Sequence, residues 1–305
     1  MIQERFARYI VALRDDDVPP AAVAAAKDCI VDWFAAAVPG GAEAPATLLI
    51  EALADDELGR GRAMLFPSGL RAPLRTAALI NGAASHTTEF DDIYRNAIYH
   101  PGPVVIPAAL AAAQTRGASG AALLRAVIAG YEVSNRIGVA VNPAHYAYWH
   151  TTGTVGHFGA AAAVASVLGL DAQTTAHALA TAATMAAGLQ QAFRADAMSK
   201  PMHAGQAAAN GALAAVSAGA GVTGAAAMFE GPRGFGAAMG DSPRLVGVAR
   251  RARRPLHHRR HHPQGARLVR PRPRGDRRHA APARAPRLGR RQRQAHRGRQ
   301  LWRGA

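Results

Sequence analysis

The feature that most constrains the fold is a run of small residues, GHFGAAAAVASVLGL, at positions 156–170. A helix lined with alanine and glycine lets neighbouring helices approach very closely. Hydrophobic residues make up 49% of the chain, but many are alanine and only 6% of all residues are aromatic. This combination favours closely packed helices over a sheet, so we predict a mainly α fold.

Apolar residues recur at helical spacing along most of residues 1–240, and prolines and glycines separate the repeats. The segment 59–73 lacks this spacing and is predicted to be irregular or briefly extended. Pro107 is predicted to open its helix, whose free amide groups would suit an anionic ligand. The predicted helices cover residues 1–14, 20–38, 45–54, 74–90, 107–115, 118–141, 156–168, 171–189 and 200–218.

The sequence predicts a cytoplasmic protein without a membrane-spanning segment. Its longest apolar run, 159–170, is shorter than the roughly 18 residues that a transmembrane helix needs. The N-terminal sequence MIQERFARYI lacks the basic flank, long apolar core and cleavage site of a secretory signal. The single cysteine, Cys29, excludes an intramolecular disulfide and a cysteine-based zinc site.

The net charge of +16 belongs to one end of the chain. Residues 1–249 hold 16 Lys and Arg against 19 Asp and Glu, whereas residues 250–305 hold 20 Arg and one acidic residue. This break, at about Val248, predicts a helical domain over 1–247 and an Arg-, Pro- and His-rich tail over 248–305. Such a tail buries too little apolar surface to offset its chain entropy, so we expect it to be disordered.

Two interpretations of the tail stay open. Arg, Pro, His, Ala and Gly are the residues that GC-rich coding DNA gives in a shifted frame, which favours a frameshifted or mispredicted C-terminus. The alternative is a genuine basic arm, which would bind nucleic acid only non-specifically, as a polyanion. Trp302 is the single aromatic residue of the tail, so base stacking has little support.

Acidic residues and histidines concentrate in the stretch NGAASHTTEFDDIYRNAIYHPGP, residues 81–103. Such groups are costly to place in apolar surroundings unless they are paired or used. Helical spacing over 74–90 would put Ser85, Glu89 and Asp92 on one face and turn Asp91 elsewhere. A polar loop with solvated carboxylates is the alternative interpretation. The acidic residues and histidines of this stretch are His86, Glu89, Asp91, Asp92 and His100.

A second group of polar residues lies further along the chain. Lys200 and His203, at the start of a predicted helix, would form a corner that binds carboxylates. A surface lysine at a helix start is the alternative for Lys200. We interpret His145 and His157 as structural, and His177 as a core or surface histidine rather than a ligand.

Four segments together resemble the MmgE/PrpD family, which includes 2-methylcitrate dehydratase and cis-aconitate decarboxylase. They are NGAASHTTEFDDIY, the HPG that follows, WHTTGTVGHFGAAAAVASVLGL, and SKPMHAGQAAANGALAA with the later GVTG and FEGPRGFG. Each segment is weak alone, but their order and spacing are specific. The resemblance covers roughly residues 1–247 and implies the multi-helix domain of that family. Family members continue with a lid domain; we expect it to be missing from this chain, and if the tail is genuine we expect this truncated form to be inactive.

The resemblance also implies the residues of the site. The family has an acidic run, a histidine in an HP context, a second histidine before a small-residue helix, and a lysine in a KPxHxG context. To these we add His86, which neighbours the acidic run. The predicted catalytic residues are His100, Glu89, Asp91 and Asp92, and the predicted substrate-binding residues are His86, His150 and Lys200.

The chemistry implied by the resemblance is elimination or decarboxylation of a small di- or tricarboxylate, without a cofactor or a metal. In it His100 would be the general acid/base, while His150 and Lys200 would hold substrate carboxylates. The alternatives are an isomerase or epimerase of the same fold, and a non-catalytic remnant whose basic tail binds polyanions. The family is typically homodimeric, so we expect a homodimer.

Three departures from the family pattern bear on the substrate. Glu89 stands where the family usually has aspartate, and Ile93 stands where threonine is frequent. The acidic run also lies one residue further from His100 than in cis-aconitate decarboxylase. These departures argue against assigning the substrate of that decarboxylase to this chain.

Overall fold

The computed structural model describes residues 1–240 except 16, 56, 57 and 196, together with residue 247. The described residues form eleven α-helices, two short 3₁₀ turns and one small hairpin, which confirms the prediction of a mainly α fold. The predicted tail, 248–305, lies outside the described residues, so its disorder and its boundary stay predictions.

The elements follow one another with short connections. The helices are α1 (Ile2–Asp15), α2 (Pro20–Gly40), α3 (Ala46–Ala52), α4 (Leu74–Thr87), α5 (Gly102–Arg116), α6 (Gly120–Val141), α7 (Thr151–Leu168), α8 (Ala172–Met185), α9 (Gln190–Arg194), α10 (Ser199–Gly219) and α11 (Phe235–Met239). The 3₁₀ turns are Arg95–Ala97 and Ala144–Ala147. The hairpin pairs β1 (Ala63–Met64) with β2 (Arg71–Ala72), inside the segment predicted to be briefly extended.

Helix α10 packs along both α7 and α4, and α5 packs against the same two helices. Glycines mark the points where backbones touch. A Cβ at Gly205 would lie 2.1 Å from the carbonyl oxygen of Leu79, and one at Gly211 would lie 2.5 Å from that of His157. The small residues of α7 and α10 therefore allow a packing closer than larger side chains would permit.

Helix α4 ends at Thr87, three residues before the predicted end. Glu89 adopts a left-handed backbone conformation, with φ 57°, which an α-helix of L-residues does not continue through. The prediction of one helical face shared by Ser85, Glu89 and Asp92 is therefore wrong. Glu89 and Asp92 lie on the loop between α4 and α5, where helical spacing does not apply.

Helix α5 begins at Gly102, five residues before the predicted start at Pro107. Pro107 lies inside the helix, where its fixed φ is compatible with helical geometry although it cannot donate a bond to residue 103. The amide of Gly102 donates to the Asp92 carboxylate. The carboxyl group of Asp92 thus occupies the helix start that was predicted to suit an anionic ligand.

We predict that Gly205→Ala destabilises the domain by about 1–3 kcal/mol or more, because the added methyl group would overlap the backbone of α4. Urea denaturation followed by circular dichroism measures the free energy of unfolding. Gly120→Ala is the matched control, since a Cβ there would have no atom within 4 Å. Equal stability of the two variants would contradict the close contact between α4 and α10.

Candidate active site

Four parts of the fold bring the predicted site residues together. They are the last turn of α4, the loop from residue 88 to 101, the N-terminus of α7 and the first turn of α10. Six of the seven predicted residues line one cavity of about 240 Å³. These six are His86, Glu89, Asp91, His100, His150 and Lys200.

Asp91 is the central group of the site. Its carboxylate is 1% exposed, and Oδ2 lies 2.9 Å from Nδ1 of His86 and 3.1 Å from Nδ1 of His100. The contact with His86 has the geometry of a hydrogen bond, whereas that with His100 is an ion-pair distance. The sequence-based expectation that Asp91 points away from the cluster is wrong, because the loop rather than a helix sets its direction.

The surroundings of Asp91, His100 and His86 shift the pKa values of these three groups in different directions. Burial alone would raise the pKa of Asp91, but the imidazoles of His86 and His100 hold it well below its usual range. Burial works against a charge on His100 too, yet Asp91 and Asp92 raise its pKa above the ordinary value. For His86, burial outweighs Asp91 and lowers the pKa. His100 is therefore the histidine of this pair that keeps its proton to the higher pH.

Asp92 lies behind the cavity and does not line it, in contrast to its predicted place beside Glu89. It is 3% exposed, and its Oδ1 accepts a hydrogen bond of 2.8 Å from the Gly102 amide. Burial, followed by the charge of Asp91, raises the pKa of Asp92 to about 7. A Cβ at residue 102 would lie 2.4 Å from Oδ1 of Asp92. Only a glycine there leaves room for this carboxyl group at the start of α5.

Lys200 and Glu89 form an ion pair at one side of the cavity. The Nζ–Oε1 distance is 2.6 Å, with the lysine side chain 8% exposed and the glutamate side chain 59% exposed. The ammonium group also lies 4.6 Å from the ring centroid of Phe193, within the range of a cation–π contact. Lys200 is thus a buried cation, and the alternative of a surface lysine is wrong.

His150 is the residue that precedes α7, and its side chain is buried. Its ring stacks on that of His86 at 5.6 Å between centroids, and its Nδ1 lies 3.2 Å from Nδ1 of His203. Burial, together with the neighbouring histidines, lowers the pKa of His150 well below the ordinary value. His150 is therefore a neutral hydrogen-bonding group at neutral pH.

The histidines interpreted as structural lie away from this cavity. His145 contacts the Met239 carbonyl oxygen and Thr154 Oγ1, both at 2.6 Å. Nδ1 of His157 lies 2.7 Å from the Gly153 carbonyl oxygen. His177 lies on α8, beside the backbone of Gly224.

Four further residues line the cavity that the sequence did not reveal: Ile93, Ile98, Tyr146 and Phe193. Ile98 has a left-handed backbone with φ 47°, which β-branched residues rarely adopt. Apart from Ile93, which stands where the family frequently has threonine, nothing in the local sequence distinguishes these residues from core residues. His203, predicted to form a carboxylate-binding corner with Lys200, does not line this cavity but contacts His150 from α10.

The His86, Asp91 and His100 donor atoms all lie within 4.8 Å of one another. Two histidines and a carboxylate are a set that transition metals can use. In this geometry, however, the Asp91 oxygen and the two ring nitrogens are paired with each other. A metal would have to replace that pairing, and the absence of a cofactor from the reaction stays a prediction.

Comparison with known proteins gives the same assignment as the motifs. A sequence model of the MmgE/PrpD N-terminal domain matches residues 4–246. The chain belongs to the MmgE/PrpD family. The match covers the whole set of helices that surrounds the cavity, so the family assignment and the site concern the same residues.

Curated relatives within the family carry cis-aconitate decarboxylase names. The Homo sapiens cis-aconitate decarboxylase is 37% identical over 180 residues, which cover 55% of this chain and 36% of that protein. The cis-aconitate decarboxylase-like protein oryM of Aspergillus oryzae is 30% identical over 231 residues, covering 73% and 48%. The cis-aconitate decarboxylase of Aspergillus terreus is 31% identical over 208 residues, covering 66% and 42%.

The matched part of this chain thus spans at most about half the length of these relatives. Among the described helices, none is both long and apolar enough to cross a membrane. The cellular compartment and the oligomeric state stay predictions.

We predict that Asp92→Asn removes a loss of stability that the wild type suffers as the pH rises. The pKa of an aspartate is about 3.9 when unfolded and about 7 for folded Asp92, so its favourable contribution is complete below pH 4 and declines towards pH 7. The difference in unfolding free energy, variant minus wild type, should increase by more than about 1.4 kcal/mol from pH 4 to pH 7. This is the energy that corresponds to a pKa shift of one unit.

Asp171→Asn serves as a control of opposite sign. Hydrogen bonds from Thr174 lower the pKa of Asp171, so its stabilising contribution is present at neutral pH and is lost in acid. Urea denaturation at pH 3, 4, 5.5 and 7.5 measures both variants. A flat difference between Asp92→Asn and the wild type would contradict the protonated, buried state of Asp92.

Proposed function

We propose that this chain carries the catalytic helical domain of a lyase, a dehydratase or decarboxylase that acts on a small di- or tricarboxylate. The observation that carries the proposal is the Asp91 carboxylate, held between His86 and His100 on the wall of a cavity that Lys200 also lines. Membership of the MmgE/PrpD family and similarity to cis-aconitate decarboxylases support the same reaction class.

His100 is the proposed general acid/base. Loss of water and loss of CO₂ both require a proton to leave, or reach, a carbon beside a carboxylate. Because Nδ1 of His100 faces the Asp91 anion, Nε2 is the ring nitrogen available for that transfer. Asp91 orients the ring and stabilises its charged form without itself taking up the proton. Glu89 would pair with Lys200 at the edge of the cavity. Asp92, outside the cavity, would help to stabilise the charged form of His100.

Lys200, His150 and His86 are the proposed substrate-binding groups. Lys200 supplies positive charge where enolate-like charge develops on the substrate. The imidazoles of His86 and His150, whose pKa values are lowered by burial, would add hydrogen bonds rather than charge. These roles need no cofactor. We also propose that the protein is a homodimer. An isomerase would use the same proton transfer, so the product formed distinguishes it from a lyase.

We predict that His100→Ala lowers turnover by about 10²–10⁴-fold, the usual contribution of a general acid/base group. The assay follows cis-aconitate and 2-methylcitrate in D₂O by proton NMR, which detects product and also solvent exchange at the carbon beside a carboxylate. The variant should lose the exchange as well as the product, because both require the same proton transfer.

His177→Ala is the matched control, since His177 lies outside the cavity and contacts only the backbone of Gly224 in the hydrogen bonds described. It should keep the turnover of the wild type. Turnover of His100→Ala within about tenfold of the wild type would rule out the role assigned to His100.

A further inference from the structure

We infer that Glu89 is an internal carboxylate that occupies the position of a substrate carboxylate on Lys200 and leaves it when substrate binds. The inference rests on the proposed function in one respect: both place a substrate carboxylate at Lys200. It goes further because it makes Glu89 a specificity-determining residue, which competes with the substrate for Lys200 and must be displaced by it.

The first step of the argument concerns Lys200. Its side chain is 8% exposed, and a buried ammonium group requires a counter-charge or several hydrogen-bond acceptors. Among the described residues, Glu89 is the only carboxylate within ion-pair distance of Nζ, at 2.6 Å. The Phe193 ring covers another side of the ammonium group. In the ligand-free site, Glu89 therefore provides the negative charge that a bound carboxylate would otherwise supply.

The second step is the asymmetry of the pair. The Glu89 side chain is 59% exposed, so its carboxylate can return to water by rotating about its own side-chain bonds. Lys200 has no such freedom, because it is buried at the start of the long helix α10. An incoming carboxylate can thus replace Glu89 while the ammonium group stays in place and remains paired.

The third step is the charge on the cavity wall. With Glu89 in place, the carboxylates of Glu89 and Asp91 on the wall offset the ammonium of Lys200 and the charged form of His100. An anionic substrate that bound beside Glu89 would meet like charge on two sides. With Glu89 turned towards solvent, the same substrate meets Lys200 and His100 first. Displacement of Glu89 is therefore the route by which an anion gains a net attraction.

Replacement of Glu89 by a substrate carboxylate on Lys200 makes the site selective. A ligand whose carboxylate cannot reach Lys200 leaves Glu89 in position and gains nothing from the cation. A ligand that does reach Lys200 binds with its intrinsic affinity multiplied by the fraction of time for which the lysine is free of Glu89. Removing the charge of Glu89 should consequently tighten the binding of every carboxylate that uses Lys200.

The test is isothermal titration calorimetry of the full chain with tricarballylate, a tricarboxylate that has neither a hydroxyl leaving group nor a double bond. The variants are Glu89→Gln, Glu89→Asp and Lys200→Met. Glu51→Gln is the matched control, because Glu51 is an exposed glutamate on α3, outside the cavity. Circular dichroism checks that each variant keeps its helix content.

Glu89→Gln is expected to bind tricarballylate about two- to fivefold more tightly than the wild type, the effect of one partly exposed ion pair. Glu89→Asp, whose carboxylate is one methylene shorter, should fall between the two. Glu51→Gln should match the wild type, and Lys200→Met should bind about tenfold or more weakly, as expected for a lost charged hydrogen bond.

The outcomes separate this inference from the proposed function. If Lys200→Met weakens binding but Glu89→Gln binds no more tightly than the wild type, the inference is overturned and the carboxylate site at Lys200 stands. If Lys200→Met binds as well as the wild type, or if no variant binds tricarballylate, the substrate-binding role of Lys200 is overturned and the inference with it.

Discussion

The site depends on one buried negative charge. An Asp91 carboxylate with almost no exposure to water stays ionised because the two imidazoles of His86 and His100 face it. One imidazole belongs to α4 and the other lies just before α5, so the charge ties the connecting loop to both helices. His86 in turn stacks on His150 at the start of α7. The same interaction that sets the ionisation of the site thus sets its shape.

The packing of small residues places the cation opposite that charge. Gly82 on α4 and Gly205 on α10 meet with their backbones nearly in contact, which fixes how far the first turn of α10 lies from the last turn of α4. Lys200 sits in that first turn and His86 in that last turn. The alanine- and glycine-rich composition therefore controls the width of the cavity as well as the helical class of the fold.

Most of the helices could be predicted from the sequence, because an apolar repeat and its flanking prolines and glycines are local signals. The end of α4 could not be predicted, because glutamate is compatible with a helix and nothing in its sequence context marks the left-handed conformation that Glu89 adopts. Six of the seven site residues predicted from the sequence line the cavity. The sequence motifs could not distinguish Asp91 from its neighbour Asp92, because adjacent residues on a loop point in directions that only the tertiary contacts decide.

The pair of rings formed by His150 and His203 has a consequence for recognition. Two Nδ1 atoms 3.2 Å apart can share only one hydrogen, so the two rings must adopt opposite tautomers. When the hydrogen belongs to His203, the other nitrogen of His150 carries a proton and acts as a donor. When it belongs to His150, that nitrogen becomes an acceptor. Exchanging the tautomers of the two rings, which relocates the hydrogen between the Nδ1 atoms and moves the Nε2 hydrogen from His150 to His203 through solvent, thus reverses the polarity that His150 presents.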